Sequence, residues 1–335
     1  VSNSLLPGLA APDPTLERDI RRRLGDVETA LEKAVRADSG MLGETAAYLL
    51  AAGGKRFRPM LTLLSGYFGD PVDPRLIPGS VAVELIHVAT LYHDDVIDEA
   101  DSRHAVPSAN ARWTNTIAIL TGDYLFSRAS EISAELGTDV CALLARTIGT
   151  LCDGQIREVE AAGRLTQNEQ AYRETIRRKT GALIAASCRL GGMLSDAPAP
   201  FLDVLEEFGE TLGMAFQLSD DIMDITSTHL ELGKEPGVDM KEGVYTLPVL
   251  HALAVGERRD ELARLLAAGP PVAERLERAL EIVREGDSLE HARAAVAAEV
   301  DRATDLALRL PDNIARGALV TLAEFLASRC GARRP

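Results

Sequence analysis

Aromatic residues make up 4% of the 335 positions, and alternating runs of Val, Ile, Thr and aromatic side chains, which mark half-buried strands, are absent. A sheet protein is therefore excluded. The four cysteines, Cys141, Cys152, Cys188 and Cys330, lie far apart with no CxxC pair, which fits neither a zinc site nor a small disulfide framework. They are expected to be reduced, mostly buried thiols. No segment reaches about 18 uncharged apolar residues, and VSNSLLPGLAAPDP at the start lacks a basic region followed by a long apolar run. The expectation is a cytoplasmic protein that does not span a membrane. Positive charge is also scarce. With 36 Lys and Arg against 51 Asp and Glu, the formal charge is -15, so nucleic acid and anionic membrane surfaces are excluded as general partners. An anionic ligand would have to be held by local cations or metal ions. The glycine patterns of nucleotide-binding folds are missing as well.

What remains is a chain rich in Ala and Leu, both strong helix formers, with 46% hydrophobic residues. Apolar positions recur at helical spacing. This predicts helices over 16–37, 41–51, 59–68, 77–99, 111–135, 138–161, 168–192, 201–226, 244–255, 257–268, 272–285, 288–309 and 313–329. The breaks carry loop chemistry: GDPVDP at 69–74, APAP at 197–200 and AGPP at 268–271. None is long enough for an interdomain linker. The fold class is therefore all-α, a single large bundle spanning 15–335, after a flexible segment 1–14 rich in Pro, Ser and Gly.

Within this pattern HDDVIDEADSR, residues 93–103, places Asp94, Asp95 and Asp98 in an apolar segment. At about 100° per residue these carboxylates share one helix face and repel one another. A cation would relieve that repulsion. The same arrangement recurs at Asp220, Asp221 and Asp224 in FQLSDDIMDI, and a second copy in a similar context points to a site with two acidic walls. Carboxylate oxygens are hard ligands suited to Mg2+, which commonly takes one or two of them together with water and substrate phosphate oxygens. On an ideal wheel Glu84, His87, Thr90 and Leu91 share the face of the first three aspartates. A basic counterpart is GGKRFRP at 53–59, with Lys55, Arg56 and Arg58 between flexible glycines and Pro59. Free N–H groups at a helix start and an Arg fork can both bind a diphosphate.

Read in order, GGKRFRP, HDDVIDEADSR, GDYLF, GQIRE, KTGALI, FQLSDDIMDI, GKEPGVD and TLPVL resemble the trans-isoprenyl diphosphate synthases, specifically the bacterial polyprenyl synthetases. The resemblance implies a single-domain bundle of mostly antiparallel helices around a deep central cavity, the isoprenoid synthase fold. It also implies a homodimer with the acidic motifs facing each other near the cavity mouth. The implied reaction is head-to-tail (1'-4) condensation of isopentenyl diphosphate with an allylic diphosphate primer, a prenyltransferase activity. Carried over position by position, Asp94, Asp95 and Asp98 would bind two Mg2+ ions, and Asp220, with Asp221 and Asp224 nearby, a third. Arg103, Lys179 and Lys234 would clamp the allylic diphosphate, with Thr180, Gln217, Gln155 and Glu158 lining its site. Lys55, Arg58 and His87 would hold isopentenyl diphosphate. The catalytic set implied is Asp94, Asp95, Asp98, Lys179 and Asp220.

Two positions depart from the family pattern. Arg103 is followed by His104 and Ala105 where two arginines and a glycine are usual, so His104 stands in the isopentenyl diphosphate site. Imidazole is largely neutral at pH 7 unless an anion raises its pKa. Val244 occupies a place commonly held by lysine. Neither departure touches an implied metal ligand. Ala89 and Thr90 fill the places where bulky side chains stop the growing chain in this family, which favours a medium or long all-trans product. The alternatives are a short-chain geranylgeranyl or farnesyl diphosphate synthase, a terpene cyclase, and a non-catalytic subunit of a heteromeric synthase. The scarcity of aromatics argues against a cyclase, which would use aromatic faces to guide a cation.

Overall fold

The computed structural model describes residues 13–37, 40–103, 106–226, 236–269 and 271–332. Among them are sixteen α-helices: α1 (Pro14–Ala34), α2 (Gly40–Ala51), α3 (Phe57–Ser65), α4 (Leu76–Ile97), α5 (Ala109–Arg112), α6 (Asn115–Leu136), α7 (Thr138–Ala161), α8 (Glu169–Ile176), α9 (Ala182–Leu194), α10 (Ala199–Thr226), α11 (Val238–Lys241), α12 (Leu247–Val255), α13 (Arg259–Ala267), α14 (Glu274–Glu285), α15 (Ser288–Leu308) and α16 (Ile314–Arg329). The all-α class expected from periodicity is what the chain adopts. Of the segment expected to be flexible, residues 1–12 lie outside the described residues, while Asp13 and Pro14 begin α1.

Three local features depart from the periodicity. A two-stranded antiparallel ladder pairs β1 (Ser102–Arg103) with β2 (Val106–Pro107) just after the first acidic motif. The helix expected over 111–135 is interrupted at Trp113 and Thr114, where Thr114 is extended and its hydroxyl accepts from the Ile117 N–H at 3.2 Å, capping α6. The helix expected over 168–192 widens into a π turn at Arg177–Gly181. The thiols also differ from expectation. All four are free, but only Cys188 and Cys330 are buried, Cys141 is half-buried and Cys152 is exposed.

The chain forms two compact units, each assembled from separate stretches: residues 1–149, 183–209 and 306–321 in the first, and 150–182, 210–305 and 322–335 in the second. In the first unit α1 begins with Asp13, whose carboxylate accepts from the N–H of Thr15 at 2.7 Å, and with Pro14 at the first helical position. Its buried stripe of Leu16, Ile20, Leu24, Val27 and Leu31 follows helical spacing and packs on α3 and α4. Helix α4 also packs extensively along α6, and every residue from Gly79 to Ile86 is buried. By length and composition α4 could cross a membrane, yet 67% of that window is buried inside the protein, as befits a core helix. Tyr92 ties α4 to α2, donating to the Thr45 carbonyl and accepting from the Leu49 N–H.

At the start of α3 Arg56 adopts a left-handed backbone, φ 46°, which is costly for a residue with a side chain. Its buried guanidinium explains the conformation. It bridges Glu84 on α4 at 3.1 Å, Glu28 on α1, and the Leu50 carbonyl at 3.0 Å.

In the second unit α12 packs on α8, α13 and α14. Leu262, Leu266, Leu280, Val283, Val296 and Val300 contribute to its core. Gly237, with φ 77°, starts α11 in a left-handed conformation open to glycine, and its N–H bonds the Asp224 carbonyl at 2.9 Å. That turn holds α11 against the second acidic motif.

Because Glu84 and Arg56 are both buried, removing one charge strands the other. Glu84→Gln is expected to destabilise the protein by about 3 kcal/mol, measured as a shift in the urea unfolding midpoint at unchanged slope. A midpoint equal to that of the native sequence would mean that Glu28 alone satisfies Arg56.

Candidate active site

The first acidic motif occupies the last turn of α4. Asp95 is fully buried, Asp94 half-buried and Asp98 exposed at the helix C-cap, where its N–H bonds the Asp94 carbonyl at 2.8 Å. The shared face expected from the wheel is thus graded from interior to solvent. After the cap, Glu99 turns with φ 50° and Ala100 N–H bonds the Asp95 carbonyl at 3.0 Å. This folds the chain back so that Arg103 on β1 donates from Nε to the Asp95 carboxylate. Two residues assigned to one site by sequence are therefore in contact. His104 lies outside the described residues, as does Lys234 beyond the second motif.

Further back along α4, His87 is half-buried and its carbonyl accepts from the Thr90 hydroxyl at 2.7 Å. Ala89 is buried. At the start of α3, Lys55 is exposed and Arg58 is half-buried with a buried Nε that has no hydrogen-bond partner among the described residues. Burial pushes the Arg58 guanidinium down to about 10, opposed by the Glu84 charge. Burial likewise pushes the Glu84 carboxyl up, against the pull of Arg56 and Arg58. An unsatisfied buried guanidinium N–H is the kind of donor that an anion would complete.

In the second unit the second acidic motif forms a network. Asp221 is buried, accepting from the Tyr172 hydroxyl at one oxygen and from Gln217 Nε2 at the other, 3.0 Å away. Gln217 in turn accepts from the Thr180 hydroxyl at 2.8 Å, and Thr180 sits in the π turn. Lys179, its neighbour, pairs with Glu158 on α7. The π turn lies so close to α7 that a Cβ on Gly154 would come within 2.6 Å of the Lys179 nitrogen, which explains the glycine of GQIRE. Gln155 beside it has both side-chain polar atoms buried with no partner among the described residues. Asp224 is buried and accepts from the Val238 N–H at 3.2 Å, while Asp220, more exposed, pairs with Arg329 on α16.

Tyr172, Arg329 and Asp239 were not singled out by sequence. Tyr172 lies two helical turns before Lys179, a spacing that could have flagged it; Arg329 carried no signal. The Asp221 carboxyl is pushed well above the usual range by burial first, then by the charges of Asp239, Asp224 and Glu158. Among the described residues no three His, Cys, Asp or Glu side chains converge into a closed metal cage. Half-open carboxylate sets are what Mg2+ uses when substrate phosphates and water complete its shell. Concentrated negative charge around Asp221 is the electrostatic setting that a divalent cation relieves.

Comparison with known proteins fits this geometry. The polyprenyl synthetase family model matches residues 39–283. The chain is 44% identical to "heptaprenyl diphosphate synthase component 2" of Geobacillus stearothermophilus, covering 91% of this chain and 95% of that protein. It is 39% identical to a nonaprenyl diphosphate synthase of Mycobacterium tuberculosis over 98% of each. Among solved structures, the geranylgeranyl pyrophosphate synthase of Corynebacterium glutamicum, complexed with calcium and isoprenyl diphosphate, superposes with a TM-score of 0.84 at 40% identity, covering 95% of this chain and 98% of that one.

The raised Asp221 carboxyl has a consequence for stability. A group whose folded pKa is raised favours its protonated form in the fold. That contribution is complete below the unfolded carboxylate value and is lost as pH rises through the folded one. At neutral pH without metal, Asp221→Asn, a permanently neutral mimic, is therefore expected to stabilise the protein by at least about 1 kcal/mol. Thermal unfolding in chelator checks this, and a lowered midpoint would show that the ionised carboxylate is the better-accommodated form.

Proposed function

The chain belongs to the polyprenyl synthetase family and is a prenyltransferase of isoprenoid biosynthesis, and from that premise we propose that it extends an allylic diphosphate by successive condensations with isopentenyl diphosphate. The observation that carries the residue-level reading is the Asp221 network: buried carboxylates crowded by like charge, with Lys179 close by in the π turn. We take residues 15–335 as the synthetase domain, since the matched relatives cover it almost end to end.

In this reading Asp94, Asp95, Asp98, Asp220, Asp221 and Asp224 hold Mg2+, three ions in all. Bound there, the ions would neutralise the diphosphate and stabilise the charge that develops on it as it leaves. Arg103, Lys179 and Lys234 bind the allylic diphosphate as fixed cations. Their advantage grows as the allylic C–O bond breaks and negative charge collects on the leaving oxygen. Gln217 and Thr180 keep Asp221 aimed through their hydrogen-bond chain, and Gln155 and Glu158 line the same site. Lys55, Arg58, His87 and His104 hold the diphosphate of isopentenyl diphosphate, leaving its double bond to attack the allylic carbon and form the new C–C bond. The resulting cation loses a proton, accepted by the departing diphosphate, and a double bond re-forms. Water has to be kept from the site during this step, because it would quench the cation.

Small side chains at Ala89 and Thr90, together with the heptaprenyl and nonaprenyl relatives, support a medium or long product. A geranylgeranyl product is the second reading, favoured by the 40% identity to the Corynebacterium enzyme. We further place the protein in the cytoplasm as a homodimer. Exposed Ile119 and Leu120 on α6 offer apolar surface for a second copy. The relative called "component 2" supplies the competing picture of a chain that needs a different subunit.

The purified chain alone, given Mg2+, isopentenyl diphosphate and a farnesyl or geranylgeranyl primer, is expected to make an extractable prenyl diphosphate longer than geranylgeranyl. Chromatography of the dephosphorylated product reads its length. A twenty-carbon product would decide for the second reading, and product formed only with another subunit would decide for the heteromer. Asp94→Asn and Asp220→Asn are each expected to lower kcat by about 100-fold or more, on the scale of losing a transition-state electrostatic contact, with little change in the unfolding midpoint apart from the small loss of the Arg329 pair in Asp220→Asn. Full activity in either would remove that aspartate from the site.

A further inference from the structure

The β1–β2 ladder carries Arg103, which faces Asp95, yet it has only two residues per strand. Such a ladder cannot hold its own shape in water. Its direction has to come from whatever it is tied to. Two sets of ties are present. Ser108, fully buried, donates its N–H to the Asp101 carbonyl at 3.0 Å and its hydroxyl to the Ala100 carbonyl, closing the base of the ladder. On the outer side, Tyr48 of α2 donates its hydroxyl to the Pro107 carbonyl at 2.9 Å. Pro107 is the register partner of Ser102, and Val106 that of Arg103, so this bond fixes the strand beside Arg103.

Tyr48 is in turn held by a cluster. Arg112, at the end of α5, lies over the Tyr48 ring at 4.6 Å and over Trp113, the only tryptophan in the chain, at 4.7 Å. The two rings meet edge to face, with centroids 5.0 Å apart and planes at 88°. Arg112 also pairs at 3.3 Å with Glu44, one helical turn before Tyr48 on α2. A guanidinium between two aromatic faces is a rigid arrangement. It fixes the Tyr48 ring at the point where the chain leaves the acidic motif.

We propose that Tyr48, Arg112 and Trp113 form a clamp that holds β2 and thereby aims Arg103, making them positioning residues for diphosphate binding that touch no substrate themselves. The inference rests on the reading of Arg103 as a diphosphate ligand. Arg103 is one cation among several ligands of the diphosphate, and in this reading the metal ions carry most of the charge that develops in the transition state. Misaiming it therefore weakens capture of the intact substrate, read in KM, more than it lowers kcat. The clamp also acts only while Arg103 is present.

The test uses the full-length protein. Tyr48→Phe deletes only the hydroxyl that grips Pro107, and Arg112→Met removes the cation while keeping much of its bulk. Each is expected to raise KM for the allylic diphosphate roughly three- to ten-fold, the loss of about one hydrogen bond's contribution, with kcat changed less than about two-fold. In an Arg103→Gln background neither is expected to add anything. Unchanged KM in both variants, or the same increase with Arg103 already replaced, overturns the clamp. Thermal midpoints and the near-ultraviolet circular dichroism of Trp113 establish that the variants are folded and whether the indole environment has changed. Should the native chain form no product, the proposed function fails on its own, and calorimetric titration with inorganic diphosphate and Mg2+ still decides the clamp. There, the variants raise Kd by the same factor if the inference holds; equal Kd values, or no binding by any form, overturn it.

Discussion

Carboxylates in an apolar interior are the constraint from which much of this structure follows. Glu84, Asp95, Asp221 and Asp224 are all buried, and a buried charge costs several kcal/mol unless it is paired or neutralised. The chain meets that cost in a different way at each position. Glu84 takes Arg56, which forces a left-handed residue at the start of α3. Asp95 takes Arg103, which requires the turn at Glu99 and the ladder after it. Asp221 is surrounded by hydroxyl and amide donors and pushed toward its neutral form, and Asp224 is bound by backbone at a glycine turn. The irregular pieces of backbone are where these carboxylates find their partners.

This explains which parts of the protein could be read from sequence. Helix positions were legible because an amphipathic or wholly buried helix repeats its signal over many residues, as along Leu16, Ile20, Leu24, Val27 and Leu31. Asp94, Asp95 and Asp98 stood out because charge is conspicuous on an apolar segment. The partners of the second acidic motif did not. Tyr172 is 49 residues from Asp221, and Arg329 is 109 from Asp220, so no local pattern links them. The π turn at Arg177–Gly181 leaves the hydrophobic spacing almost intact, and its cause is tertiary: the close approach of Gly154 and the bond from Thr180 to Gln217. The break at Trp113 and Thr114 was hidden because no Gly or Pro marks it, its one local sign being the Thr114 cap of α6. The thiols were expected to be mostly buried from their general habit, but Cys152 falls on an exposed position of α7.

The two solutions found along α4 differ in a way that separates structural charge from functional charge. Glu84 and Asp95 are both buried, so burial of the acid says nothing about its role. The counter-ion does. The Arg56 side chain is 8% exposed and bonded on three sides, including a main-chain carbonyl, so it cannot exchange Glu84 for a ligand without opening the core. The Arg103 side chain is 24% exposed and sits on a two-residue strand, so it can turn from Asp95 to an incoming anion while its backbone stays in place. Lys179, 27% exposed and paired with Glu158, has the same half-open character in the second unit. Under the proposed function, a cation that binds and releases diphosphate at every addition needs a partner that it can leave. At Arg103 that requirement is met by exposing the base while its Asp95 carboxylate stays inside, which is how a charge-rich site can be carried by a buried helix without being locked by its own ion pairs.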